Sequence, residues 1–215
     1  MCFSATVSFA AGAYLLGIGT LTLKQPRRPR ELAFAAIPLL FAVQQLSEGI
    51  LWLTFEPAMP WLNGAMTHVY SFMSHVLWPI YVPVAVLLIE PPGPRRRALL
   101  ALVGIGVAVG AFLLYHLVDY PVSSRLTGQH IQYVSPPHFL AMASTLYLVS
   151  TTLSLMLSTH PKAKVFGALT LLSFAVAYGF YTTWFISVWC FFAALLSTAV
   201  YLHFLPRRTL RGSFP

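Results

Sequence analysis

The sequence predicts an all-α fold: a polytopic membrane bundle of seven transmembrane helices, N-terminus outside and C-terminus cytoplasmic. Three observations predict it. Of the 215 residues, 58% are hydrophobic and only 8% charged, against about 25% charged in a soluble domain; the mean hydropathy is +0.74. The apolar residues fall into stretches of about 20, the length a helix needs to cross the hydrocarbon. The basic residues gather in short clusters at alternate connections. No polar linker divides the chain, so residues 1–215 are read as one domain.

The spans are read at Phe3 to Leu23, Leu32 to Phe55, Met66 to Ile89, Leu99 to Val118, Phe139 to Leu157, Val165 to Trp184 and Ile186 to Leu205. The start, MCFSATVSFAAGAYLL, has no basic segment ahead of its apolar run and reads as a retained span rather than a cleaved signal peptide. The turn between spans six and seven is the weakest, because TTWFISVW carries no turn signal. KQPRRPR, PPGPRRR, THPKAK and PRRTLRG follow spans one, three, five and seven. The connections EPAMPWLNGA and DYPVSSRLTGQHIQYVSPPH carry one basic residue between them. The bias of basic residues to cytoplasmic loops sets the orientation.

Internal similarity suggests a 3+1+3 pseudo-repeat. Aligning Phe34 with Phe166 sets FAAIPLL against FGALTLL and Trp52 on Trp184. Tyr14-Leu15 resembles Tyr147-Leu148, and Ala85-Val86 resembles Ala199-Val200. Apolar segments also align by chance.

The functional handle is QQLSEGILW, residues 44–52, inside the second span. Gln44, Glu48 and Trp52 recur every four residues and share a face, with Gln45 beside it. An ionisable group inside a span is costly unless it faces the bundle interior and finds a partner, and it is a candidate functional group by default. The bland alternative is a protonated structural acid bonded to its glutamine neighbours. By depth, His75 in span three is the expected partner, with His68 and Ser71 above it. His116 and Asp119, three apart at the end of span four, allow the carboxylate to orient the imidazole. Five of the seven histidines and three of the five acids fall on the outer side. His75, His116 and Glu48, with Asp119 behind, compose a two-histidine-one-carboxylate set suited to a transition metal such as zinc or iron. The bland reading is that these imidazoles bond between helices.

Cys2 and Cys190 also fall on the outer side, where disulfides persist. Three readings stand together: a Cys2–Cys190 disulfide, thiolate metal ligands, or two inert thiols. Trp61 and Trp184 fit an aromatic interface belt, whereas Trp52 shares the face of Glu48. Pro79 and Pro83 in WPIYVP free backbone carbonyls and kink span three near His75.

Some functions are excluded. Lys24, Lys162 and Lys164 all lie in inner connections, so no span offers a lysine for a retinal Schiff base. No phosphate-cradling glycine loop or Gly-x-Ser-x-Gly elbow occurs; GIGVAVG in span four reads as close helix packing. The interrupted basic clusters do not form a nucleic-acid surface.

The blocks MCFSATVSF, PLLFAVQQLSEGILWL and SVWCFFAALLS resemble a family of small bacterial seven-helix membrane proteins of unknown function, over most of the chain. The resemblance implies a multi-pass protein of the bacterial inner membrane and brings no activity. It draws attention to Cys2, Ser4, Gln44, Gln45, Glu48, Trp189 and Cys190. A second likeness, to seven-helix metal-dependent hydrolases such as alkaline ceramidases, implies histidines on the last span. Here that span has only His203, at the inner end.

Three functions are expected side by side. In the first, Gln44, Gln45, Glu48, Trp52 and His75 bind or transport a small ligand or cation from the outer side. In the second, His75, His116 and Glu48 hold the metal of a membrane enzyme. In the third, the protein is an accessory subunit that meets a membrane-protein partner or further copies of itself. Beyond these the partner is the lipid bilayer.

Overall fold

The structure is a computed structural model that describes residues 4–55, 59–128, 130–134, 140–180 and 185–205. Among these, six helices are long and apolar enough to cross a membrane: Ala5–Leu23, Pro29–Leu53, Pro60–Ile89, Pro94–Asp119, Pro161–Phe180 and Ile186–Phe204. The seventh apolar helix, Met142–Leu157, is shorter. At 1.5 Å per residue it reaches about 24 Å, less than the ~30 Å hydrocarbon core. The expected turn between spans six and seven lies outside the described residues.

Helix α1 (Ala5–Leu23) begins at Ser4, whose hydroxyl accepts from the Val7 amide at 3.3 Å, satisfying one of the free donors of the first turn. The second span breaks into α2 (Leu32–Ala35) and α3 (Ile37–Leu53). Pro38 explains the break, since it has no N–H to give the Phe34 carbonyl. Helices α1 and α3 touch closely at Gly19, where an added Cβ would lie 2.8 Å from the Leu39 backbone.

The third span is α4 (Pro60–Ser71), a π turn (Phe72–Leu77) and α5 (Trp78–Ile89). The kink expected from WPIYVP takes the form of this widened turn, just ahead of Pro79. Pro83 cannot donate to the Pro79 carbonyl. Gly106 of α6 (Pro94–Asp119) packs against that freed oxygen so closely that any Cβ would collide with it, and one turn on Gly110 packs against Ile80.

The long outer connection departs from the all-helical expectation. Ser123–Thr127 (β1) and His130–Val134 (β2) form an antiparallel hairpin with Thr127 opposite His130. Gly128 supplies the left-handed turn residue at φ 64°. Ile131 of β2 is buried, so the hairpin packs onto the bundle.

The chain returns through α7 (Leu140–Leu148), a second π turn (Val149–Leu153), α8 (Ser154–Leu157) and α9 (Pro161–Phe180). It ends in α10 (Phe185–Leu196) and α11 (Thr198–Phe204). Phe34 and Phe166, the anchors of the 3+1+3 alignment, are both buried. The two π turns interrupt spans three and five, which that alignment does not superpose. A shared core of Leu15, Phe34, Ile37, Phe41, Leu99 and Phe166 joins the helices.

The ends that carry the basic connections lie together. Thr159 bonds Glu90, Lys162 bonds the Leu202 carbonyl, and His203 meets both His160 and Phe34 edge-on, at 4.9 and 5.3 Å. The opposite end holds the hairpin, with Thr67 bonded to Ser124 at 2.7 Å and Asn63 to Thr54 at 3.1 Å. PRRTLRG, residues 206–212, falls outside the described residues.

Candidate functional site

Glu48 is 0% exposed, beneath the hairpin. Its Oε1 accepts from the Ser187 hydroxyl of α10 at 2.9 Å and the Tyr133 hydroxyl of β2 at 3.3 Å. Tyr133 in turn stacks flat on the buried Tyr70 of α4, with centroids 4.5 Å apart. Two elements distant in sequence therefore converge on one carboxylate of α3, with α4 stacked behind one of them.

A turn earlier on α3, the Gln44 Oε1 accepts from the Trp78 indole at 2.6 Å. The Trp78 ring stacks on Phe41 at 3.9 Å, which fixes that donor. The thiol of Cys190 meets Gln44 and Tyr70, within range of the Glu48 charge. Gln45 is wholly buried, and neither its Nε2 nor its Oε1 finds a partner among the described residues. Ser8 Oγ, Ser71 Oγ and Trp52 Nε1 are likewise buried without a described partner. Buried polar atoms are normally paired, so these atoms are exceptions, gathered in the half of the bundle that carries the hairpin.

Gln44, Gln45 and Glu48 thus form one buried cluster, as their spacing predicts, and Trp52 continues it along α3. His75 does not reach the carboxylate through any described bond. Its Nδ1 meets Ser74 Oγ at 2.8 Å and the Ser71 carbonyl at 3.1 Å, both within its own turn. The π turn adds a residue there and rotates His75 off the face that regular helical spacing predicts. His116 bonds the Phe112 carbonyl at 2.9 Å and stacks on Tyr120. Asp119 is exposed and interacts with the Tyr115 hydroxyl. The metal set of His75, His116 and Glu48, with Asp119 behind it, is not assembled: no group of three or more His, Cys, Asp or Glu positioned for a metal occurs among the described residues. Zinc chemistry therefore has no described donor set here.

Cys190 is a buried thiol that forms no disulfide among the described residues; its expected partner Cys2 lies outside them, as do His138 and Trp184. Trp61 is 82% exposed, as an interface tryptophan should be. His130, at the hairpin turn, is held below its ordinary pKa by burial.

Spacing arguments miss Tyr70, Trp78, Tyr133 and Ser187. Ser187 stands three before Cys190 within a block already notable, so it was within reach. Tyr133 was not, because it sits in a segment read as loop.

A second buried carboxylate closes the other end. Glu90, 1% exposed at the end of α5, accepts from Ser158 Oγ at 3.1 Å, the Thr159 amide at 2.9 Å and Thr159 Oγ1 at 3.3 Å. These bonds tie span three to the segment leading into α9.

Between the two levels lies a cavity of about 30 Å³ lined by residues that include Phe41, Trp78, Tyr147, Thr151, Trp189 and Cys190. A family model described as "Family of unknown function (DUF6629)" matches residues 1–213. No curated protein and no solved structure matches the chain.

Proposed function

The chain belongs to this family of unknown function, and we propose that it is a multi-pass protein of the bacterial inner membrane that binds and exchanges a small cation at Glu48 from the outer side. Buried Gln45 carries the reading. A carboxamide with neither polar atom partnered among the described residues, three residues from a buried carboxylate, is a large cost unless something occupies the space between helices. Glu48 supplies the charge; Gln44 and Gln45 orient the occupant. The Tyr133 hydroxyl and the hairpin cover it, so exchange requires the hairpin to lift. The orientation rests on the gathering of the basic connections at one end.

A wholly buried carboxylate suits a compact species rather than a drug-sized ligand, which needs about 300 Å³ or more. The experiment is thermal unfolding of the detergent-purified protein against lithium, sodium, potassium, ammonium and hydronium (as a pH series). At least one should raise the Tm of wild type by several degrees more than that of Glu48→Gln, through preferential binding to the folded state. Equal responses in the two proteins, or no response to any cation, would refute the reading.

A further inference from the structure

The fifth span carries an unusual run of buried hydroxyls. Ser150, Thr151, Thr152, Ser154 and Ser158 are each 0–6% exposed within one stretch of a membrane-type helix. Most donate to carbonyls three or four residues back: Ser150 and Thr151 to Tyr147, both at 2.9 Å, and Ser154 to Thr151 at 2.8 Å. Such back-bonding satisfies the O–H and leaves oxygen lone pairs facing the interior. Ser158 breaks the pattern and donates to Glu90 at 3.1 Å. The row therefore ends on the inner carboxylate.

Its other end approaches the outer one. Tyr147 and Thr151 line the cavity together with Cys190, and Cys190 bonds Gln44 within range of the Glu48 charge. Tyr147 also donates to the Ser74 carbonyl at 2.7 Å and meets the Trp189 ring edge-on. From Tyr147 to Ser158 is about 16 Å along a helix. Between two carboxylates at opposite ends of the bundle thus lie a small cavity and a run of fifth-span hydroxyls, four of which rest on backbone carbonyls while Ser158 bonds Glu90.

We propose that Glu48 and Glu90 are the outer and inner stations of a proton route through the bundle, with the fifth-span hydroxyls as its relay. This rests on Glu48 being the outer exchange site and names the exchanged cation as the proton. Size selects the proton. A cavity of about 30 Å³ holds roughly two waters, too few to pass a hydrated metal ion. Its wall is almost wholly apolar, so it is dry at rest and conducts only when transiently wetted. Glu48 takes a proton from outer water and gives it to water in the cavity. Each hydroxyl oxygen then accepts a proton on a lone pair, turns its own hydrogen away from the backbone carbonyl it bonds at rest, and releases that hydrogen onward. Glu90 takes the last proton and loses it to inner water. One O–H bond forms for each that breaks, no electrons change hands, and the proton gradient alone drives the flow. Protonating Glu90 weakens its acceptance from Ser158 and Thr159, which loosens the tie between spans three and six. The charged and titratable groups nearby are Arg96, on the Leu87 and Glu90 carbonyls, His160, on the Ile89 carbonyl, and His203, against His160.

The test is proton flux into liposomes that hold the full chain and a pH-sensitive dye, driven by a potassium–valinomycin potential. Wild type should exceed protein-free vesicles, and Glu48→Gln and Glu90→Gln should each lower flux at least tenfold, because a positioned proton carrier is worth ~10²-fold or more. Thr151→Val, close in shape and without the hydroxyl, should lower it too, and covers the case in which Glu90→Gln fails to fold. Wild-type flux no higher than empty vesicles would overturn the route. So would full flux in folded Glu90→Gln or, if that variant is lost, in Thr151→Val. Cation-dependent stabilisation lost in Glu48→Gln without any flux would leave the outer binding site standing and remove the route alone.

Discussion

The Tyr133 hydroxyl donates to Glu48 at 3.3 Å across 85 positions of sequence, while its ring lies flat on Tyr70. One side chain thus fastens the outer hairpin to the membrane-type bundle by two separable contacts. Tyr133→Phe keeps the stack and deletes the bond. It should cost about 1–2 kcal/mol and speed amide hydrogen exchange across Ser123–Val134. Unchanged exchange would mean that the stack alone holds the hairpin.

Trp78 and Gln44 offer a second dissection. Trp78→Phe leaves Gln44 Oε1 buried without its donor, at a cost of about 1–3 kcal/mol. Adding Gln44→Leu removes the stranded group and should recover much of that loss. A double-mutant cycle on denaturation midpoints reads the coupling; strict additivity would show that the 2.6 Å contact contributes little.

The glycines of α6 should behave oppositely. Gly106→Ala drives a Cβ into the Pro79 carbonyl, whereas the Cβ site of Gly104 meets nothing within 4 Å. The first should lose about 1–3 kcal/mol as an overpacked contact. The second should lie within ~0.5 kcal/mol of wild type. Equal Tm values for the two would refute the close approach of α5 and α6.

Acid should loosen the hairpin. Burial holds folded His130 below its ordinary value of 6.5, so the unfolded segment binds more protons as pH falls past that value. The His130 contribution is intact above about pH 6.5 and is lost as pH drops through the folded value. Hairpin hydrogen exchange, corrected for intrinsic rates, should rise on acidification in wild type and stay flatter in His130→Asn.

The Cys190 thiol should resist alkylation in the folded protein and react on denaturation, read by intact mass. Fast labelling in mild detergent would contradict its burial.

Much of this architecture is written in hydropathy. Span number and most span limits follow from stretches of apolar residues, and Glu48 stands out because a carboxylate is conspicuous in such company. Gln44 and Gln45 follow from helical spacing. What fails is whatever spacing cannot carry. His75 was assigned by a period of 3.6, and the π turn changes that period locally. Glu90 sits at the border of an apolar span, where an acid looks like ordinary loop polarity; only the fold shows it buried against Ser158. Tyr133 belongs to a hairpin whose short alternating strands are hidden in a long polar connection.

The sources of the two hydroxyls on Glu48 bear on how the chain is made. Glu48 leaves the ribosome with the second span. Tyr133 is synthesised only after the fourth, and Ser187 belongs to the last. During insertion the carboxylate therefore enters the bilayer before either donor exists. A lone acid at that depth costs about 2.5–3.5 kcal/mol or more by translocon scales. The adjoining Gln44, Gln45 and Ser47 are the polar companions it has at that stage within its own helix. A nascent chain stalled before residue 187 still holds an incompletely solvated acid, which offers membrane quality control a chemical signature of unfinished assembly.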